Sequence, residues 1–448
     1  MAEAPSTAPA KRGRDASPQC PSSSDACVDN PYPQGWSHEL SYATRADRIV
    51  CVMCGLPGRG KSYISRRLSQ YLSFFYSTPC KVFCVAEYRR KLHGAMHQPA
   101  PFFDSNNAEA MRLRDQANQE AIVDLVHWMG EACKPKRRKT VGVGQDDSYI
   151  SGEFGAVAML DGCFTTAEKR RQLIEHLKRE TGGVKIILLE AICTDETMIA
   201  RGFEARKVVN EDYMGIRIKE AWADFKARVA HIEKDYETVV EKELPWIKLV
   251  DGHQITMNNI RGFLPSRIAQ FLMNLHLERR PFYFSRHGQS EYNRLGKIGG
   301  DSGLTEHGEE YAVALAAWVK ENVQVDPDGH PQAARLWTSS MRRTISTARH
   351  IEHKVITLPN GQEYVQMRPK KYRNLDELYA GICDGMTYEE IAANLPEEAK
   401  ARKADKFEYR YPRGESYTDL IARLEPMAHE LERMREPIVV VAHQAILR

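Results

Sequence analysis

Six apolar residues without a break, Ile49 to Cys54, run straight into Gly55-Leu-Pro-Gly-Arg-Gly-Lys-Ser62. A run that is apolar at every position suits a strand buried on both faces, and so an interior strand of a parallel sheet. Downstream, Ile64, Leu68, Tyr71 and Phe75 recur at helical spacing, so the glycines join a strand to a helix. The octet fits G-x-x-x-x-G-K-[ST], a loop whose backbone N–H groups curl round phosphates because glycine tolerates the dihedrals. In such a loop Lys61 would reach the β/γ-phosphates and Ser62 would ligate Mg²⁺.

Further short apolar runs follow at Val82 to Ala86, Ala156 to Leu160, Val184 to Leu189 and Trp246 to Val250, with helical patterns between them. This alternation predicts an α/β domain with a mostly parallel sheet. Asp161 ends the second of these runs, where a carboxylate could hold Mg²⁺ or accept a proton from an acceptor hydroxyl; the alternative is a helix N-cap before Thr165. The arginines Arg89, Arg90, Arg112, Arg114 and Arg228 fall between the strands, and their forks suit an anionic acceptor. For Arg90 and Arg112 a solvated helix face is the preferred reading. Residues 1–44, rich in Pro, Ser, Ala and Asp, read as a disordered tail, and the basic, then Gly/Asp/Ser-rich stretch 134–152 reads as a surface insertion rather than a nuclear-targeting signal.

A chain of 448 residues exceeds one compact core, and a second α/β domain begins near Pro281. The boundaries expected are 45–278 and 279–448, joined by a helix over 265–280. Phe282 to Ser285, Arg335 to Thr338 and Ile438 to Ala442 are its strands, and His287, Ser339 and His443 fall at their carboxyl ends, where open α/β sheets bind ligands. The net charge of +3 gives no case for attraction to nucleic acid or membrane. No apolar run approaches the ~18 residues of a membrane span, and the N-terminus lacks a secretory core. The ten cysteines are scattered; Cys51-x-x-Cys54 has no second pair to complete a metal site, so reduced thiols in a cytoplasmic protein are expected.

Arg286-His-Gly-Gln-Ser-Glu-Tyr-Asn293 fits the start of phosphatases with a histidine nucleophile. A histidine attacks phosphorus only when neutral, yet its site must neutralise a dianion; neighbouring cations serve both needs by lowering its pKa. Arg286, Arg343 and His443 supply that shell round His287, Asn293 adds a neutral donor, and Glu377 is the best candidate for the acid that protonates the leaving alcohol. A competing aspartate-nucleophile motif, Asp326-Pro-Asp-Gly-His330, lacks its strand and its Thr or Val and reads as a surface turn.

With both halves in this order, the chain resembles the 6-phosphofructo-2-kinase/fructose-2,6-bisphosphatase family from about residue 47 to its last residue. The stretches that carry the resemblance are residues 55–65, Glu87-Tyr-Arg-Arg90, 107–114, 286–293, 297–304, 386–391 and, most tellingly, Tyr409-Arg-Tyr-Pro-Arg-Gly-Glu-Ser-Tyr417. The resemblance implies a P-loop kinase domain with a mostly parallel sheet and a three-layer, phosphoglycerate-mutase-like phosphatase domain. It implies ATP phosphates at Gly55, Gly58, Gly60, Lys61, Ser62 and Lys207, Mg²⁺ at Ser62 and Asp161, and fructose 6-phosphate at Arg89, Arg114 and Arg228. In the second half it makes His287 the phosphorylated residue and Glu377 the acid, with Arg286, Asn293, Arg343 and His443 on the departing phosphate. Tyr388, Arg402, Lys406, Arg410, Gln444 and Arg448 would bind the sugar and its 6-phosphate. A cytoplasmic homodimer acting on fructose 6-phosphate and fructose 2,6-bisphosphate is expected, with no nucleic-acid or membrane partner.

The departures lie mostly in the kinase half. Cys163 and Phe164 stand where the family carries Thr and Asn, Ile232 where it carries a sugar-phosphate tyrosine, and Gly202 where it carries an ATP-contacting asparagine. In the other half Gln289 replaces the commoner glutamate. These leave open a second reading, a phosphatase whose kinase half is a weak or non-catalytic nucleotide-binding regulator. The stop at Arg448 reads as a truncated or incomplete chain.

Overall fold

The structure is a computed structural model that describes residues 47–94, 98–133, 155–207, 210–276 and 280–448; the expected tail and the expected insertion lie outside them. Strands β1 (Arg48–Cys54), β2 (Cys80–Cys84), β3 (Ala156–Asp161), β4 (Lys185–Ile192), β5 (Trp246–Val250) and β6 (Gln254–Asn258) form one sheet in the order β2-β3-β1-β4-β5-β6. Every pairing is parallel except β5 with β6.

The unbroken apolar runs are explained by cover on both faces. Ile49, Cys51 and Met53 pack with Met159, Leu189 and the helices Lys61–Tyr76 and Phe263–Asn274 on one side. Val50, Val52 and Cys54 pack with Leu160, Leu188 and the helices Ala108–Ala132 and Ala167–Thr181 on the other. Cys51 and Cys54 therefore sit in different cores, on opposite faces of β1, and cannot share a metal ion or a disulfide. Burial pushes both thiols up, Cys54 to about 12.

The second sheet takes β7 (Phe282–Arg286), β8 (Arg335–Ser339), β11 (Pro369–Tyr372) and β12 (Ile438–Ala442) in the order β11-β8-β12-β7, all parallel. A small hairpin of β9 (Val355–Thr357) and β10 (Glu363–Val365) stands apart. Again alternate residues serve two cores: Leu336, Val439 and Val441 pack with Val319 and Ala348, whereas Trp337, Val440 and Ala442 pack with Met427 and Leu375. Helices on both faces make the three layers. β6, β11 and the hairpin have no unbroken apolar run, and the linking helix ends at Asn274 rather than near 280. Asp326–His330 is a surface turn, as expected: Asp326 Oδ1 accepts from the N–H groups of Asp328 (3.0 Å) and His330 (2.8 Å).

The halves meet where the helix that follows the glycine loop touches the helix Tyr417–Arg433. Tyr71 donates to Glu425 Oε1 at 2.6 Å, Tyr76 donates to the same oxygen, and His429 Nε2 lies 3.1 Å from the Tyr71 hydroxyl. Arg67 and Glu432 add an ion pair.

Candidate active sites

In the first half, β1 and β3 are neighbouring parallel strands, so the glycine loop and Asp161 lie side by side at their carboxyl ends. Gly55, Gly58 and Gly60 all have positive φ (113°, 77° and 87°), the region that side chains resist. A Cβ at Gly55 would stand 2.4 Å from the Ala191 carbonyl oxygen, and one at Gly58 would stand 2.5 Å from the Phe225 ring. The loop thus lies directly on its neighbours. Lys61 is buried, its ammonium donating to the carbonyls of Gly55 (2.9 Å) and Leu56 (2.7 Å), so the side chain is already folded across the loop that it would arm. Ser62 follows as the second residue of the helix. Lys207 ends the helix Glu196–Lys207, whose Ile199 and Phe203 pack with Phe225 in the cluster beneath the loop.

Asp161 is the last residue of β3, and the helix cap expected of it is supplied by Thr166, whose side chain accepts from Lys169 N–H. Its carboxylate is buried and has neither hydrogen bond nor ion pair among the described residues. A buried, unpaired carboxylate across from a hydroxyl-bearing glycine loop is a donor set that fits a hard divalent cation.

Arg89 and Arg228 converge on Asp212, at 2.6 Å and 3.5 Å, and both guanidiniums lie over the Phe103 ring. Arg114 donates to the carbonyls of Phe103 (3.0 Å) and Asp104 (3.1 Å), so all three gather round one turn. Arg89 Nη1 and Arg114 Nε are buried without an acceptor, which an anion would supply. Arg112 is exposed, as expected, but Arg90 pairs with Glu211 at 3.4 Å instead of facing only solvent.

The residues that depart from the family divide. Cys163 is exposed, whereas Phe164 is buried in the core with Val85 and closes over Gly162, where a Cβ would stand 2.7 Å from its ring. Phe164 is therefore core rather than pocket. Phe164→Asn should lower stability by about 2–4 kcal/mol, from lost aromatic contacts and a buried amide, while Cys163→Thr should stay within about 0.5 kcal/mol. Thermal melting distinguishes them, and equal melting temperatures would refute the account.

In the second half, adjacency of β7 and β12 brings the two histidines together: His287 N–H bonds the Ala442 carbonyl at 3.0 Å, and the rings are 5.1 Å apart. His287 Nδ1 lies 2.7 Å from the Gly288 carbonyl, which can only accept, so the proton sits on Nδ1 and the Nε2 lone pair is left for attack. His443 is fully buried. Its Nδ1 accepts from Arg343 Nε at 3.2 Å, which puts its proton on Nε2, 2.7 Å from Ser339 Oγ. Burial, with the Arg343 and Arg286 charges beside it, lowers His287 to about 4; burial and then Arg343 lower His443 to about 2.

The unfolded chain therefore takes up protons at these histidines near pH 6.5 that the folded protein refuses, and stability drains as pH falls from about 6.5 toward 4. For activity, the acid limb of kcat/KM for phosphate-ester hydrolysis should fall near pH 4. A limb near the ordinary histidine value of about 6.5 would contradict it.

A cavity of about 300 Å³ opens on His287 and is lined by Arg286, Asn293, Arg343, Glu377, Tyr388, Arg402, Lys406, Gln444 and Arg448. Glu377 Oε1 accepts from the N–H groups of Leu378 (3.0 Å) and Ala445 (3.2 Å), and Oε2 has no partner among the described residues. Arg402 stacks on Tyr388, 4.5 Å from the ring centroid, and donates to the Tyr411 hydroxyl at 2.7 Å. Slight desolvation, then the Arg402 and Arg448 charges, hold the exposed Lys406 below the usual lysine range.

Arg410 is not brought in: it forms a two-pronged ion pair with Asp419 and is absent from the lining. Lys297 and Tyr417 line the cavity unforeseen, although both lie in or beside the stretches that carry the resemblance. Gln289 Oε1 accepts from Thr305 Oγ1 at 3.0 Å. Among the described residues, no helix is long and apolar enough to cross a membrane.

A family model for 6-phosphofructo-2-kinase matches residues 37–134 and 143–279, and one for the histidine phosphatase superfamily (branch 1) matches 282–448. The 6-phosphofructo-2-kinase/fructose-2,6-bisphosphatase of Arabidopsis thaliana is 40% identical over 406 residues, covering 89% of this chain and 48% of its own. The protein of the same name from Caenorhabditis elegans is 38% identical over 423 residues, covering 92% of this chain and 82% of its own. The chain thus spans about half the length of the plant relative and most of the nematode one. The solved α-ribazole phosphatase of Shigella flexneri is 20% identical over 37% of this chain and 75% of its own, and overlays with a TM-score of 0.30. With a kinase model over one half, a histidine phosphatase model over the other, and relatives that run through both, this chain belongs to the 6-phosphofructo-2-kinase/fructose-2,6-bisphosphatase family.

Proposed function

We propose that the chain both makes and hydrolyses fructose 2,6-bisphosphate. The observation that carries the reading is a cavity whose lining joins a neutral His287 and the Glu377 carboxyl to the cations Arg402, Lys406 and Arg448. A bisphosphate spans such a site: one phosphate meets the nucleophile and the other meets the cationic end. His287 Nε2 attacks the 2-phosphorus while Arg286, Arg343 and Asn293 hold its oxygens, and Glu377 Oε2 gives its proton to the departing 2-oxygen. The phosphohistidine is then opened by water, from which Glu377 takes the proton back. Tyr388 and Gln444 would lie along the sugar's path, and neutral His443, outside the cavity lining, accepts from Arg343 and so steadies that guanidinium behind the phosphate.

For synthesis, ATP phosphates would lie against Gly55, Gly58, Gly60 and Lys61, with Lys207 beside them, and fructose 6-phosphate would meet Arg89, Arg114 and Arg228. Ser62 and Asp161 would hold Mg²⁺, which when bound neutralises charge on the transferring phosphoryl group. Asp161 would also accept the 2-hydroxyl proton. The two sheets, drawn from residues 48–258 and 282–442, support a boundary at 278/279 between the kinase and phosphatase domains. Eight free cysteines among the described residues support a reducing, cytoplasmic setting. A homodimer is the assembly that the family suggests.

Turnover assays of the purified chain with each substrate test the reading. Product from ATP and fructose 6-phosphate, and phosphate release from fructose 2,6-bisphosphate, are both expected. Nucleotide binding without synthesis over hours would leave the first half a regulator of the second.

A further inference from the structure

We infer that Arg423, which lies outside the cavity lining, is the positioning residue that holds the acid Glu377 against the leaving oxygen. The inference rests on the phosphohistidine reading of that site. Arg423 sits midway along the helix Tyr417–Arg433 and is about one-fifth exposed. Its guanidinium donates to the carbonyls of Asn374 (2.5 Å), Asp376 (2.7 Å) and Glu377 itself (3.2 Å). In return the Asn374 amide donates to the Arg423 carbonyl at 2.7 Å, so the turn and the helix are laced from both sides.

Glu415 completes the clamp. It takes both prongs of the arginine, at 2.8 Å and 3.1 Å, and accepts the Tyr379 N–H at 3.0 Å. The turn carrying Glu377 is thereby fixed on both sides of the carboxyl residue. A further anchor, Asp376, accepts from Ser340 N–H at 2.7 Å. Three carbonyl acceptors within the four residues 374–377 need a planar, forked donor, which lysine cannot supply. A proton must reach an oxygen within about 3 Å, so a shift of about 1 Å in this turn costs the acid its role without emptying the cavity.

The test compares two leaving groups in the full chain. Fructose 2,6-bisphosphate needs a proton on its departing alkoxide, whereas p-nitrophenyl phosphate releases an anion that needs none. Arg423→Ala should cut kcat for the bisphosphate by about a hundredfold with KM within about threefold, while the single-turnover burst of p-nitrophenol stays within about threefold of the parent. Arg423→Lys should fall between the two, and ATP binding with thermal melting certifies that each variant is folded; should the alanine variant fail to fold, the lysine variant carries the comparison. Equal loss on both substrates, or no loss on either, overturns the inference. An unsubstituted chain that forms no acid-labile phosphoenzyme would instead overturn the phosphohistidine reading on which it stands.

Discussion

His287→Ala is expected to abolish hydrolysis of fructose 2,6-bisphosphate, by at least about ten-thousandfold, together with the acid-labile phosphoenzyme. The size follows from the proposed chemistry, in which the first bond made is between phosphorus and His287 Nε2 and the surrounding groups only stabilise what that bond creates. His443 cannot substitute. Its Nδ1 lone pair is taken by Arg343, its Nε2 proton faces Ser339, and it is fully buried. Alanine also removes the Nδ1–H donor from the Gly288 carbonyl, but the Gly288 N–H remains on Thr347 Oγ1 at 2.9 Å, so the turn should hold. ATP binding by the glycine loop, in the other sheet, should be unchanged. A variant that still traps labelled phosphate on acid quench would remove His287 from its role.

The parts of the molecule that could be read from sequence are those whose physics is local and periodic. Ile49–Cys54 and Ile438–Ala442 are buried on both faces, and that requirement writes an unbroken apolar run. β6, by contrast, is a half-exposed edge strand, Gln-Ile-Thr-Met-Asn, and is invisible to the same criterion. Asp161 was open between two readings because a carboxylate at a strand end and one at a helix start look alike; only the three-dimensional position of Thr166, the real cap, separates them. Arg410 shows the limit of a motif. The residue type matches, but direction is set by Asp419 nine residues on, which captures the guanidinium. Arg423 shows the reverse: its partners are backbone carbonyls some fifty residues away, and carbonyls leave no mark in sequence. Phe164, which stands where the family carries Asn, is a core residue that fills the space over Gly162.

Lys61→Ala should remove synthesis of fructose 2,6-bisphosphate by about a hundred- to a thousandfold while leaving its hydrolysis intact. Two losses add. In the proposed mechanism the ammonium meets the outer phosphates, and in a buried setting its charge is weakly screened. It also braces the loop through the Gly55 and Leu56 carbonyls, so its removal frees two acceptors at about 1 kcal/mol each. Lys61→Met, which keeps the apolar stem, should lose synthesis as fully as alanine yet melt closer to the parent, separating charge from packing. Synthesis at the parental rate in either variant would mean that the loop does not hold the transferred phosphate. Hydrolysis is the control with the most information. The helix that begins at Lys61 carries Tyr71 to Glu425 and Arg67 to Glu432, and those acidic residues share a helix with Arg423. If a folded Lys61→Ala chain loses hydrolysis as well, that seam transmits the state of the loop to the second half, because no atom of Lys61 lines the cavity that opens on His287.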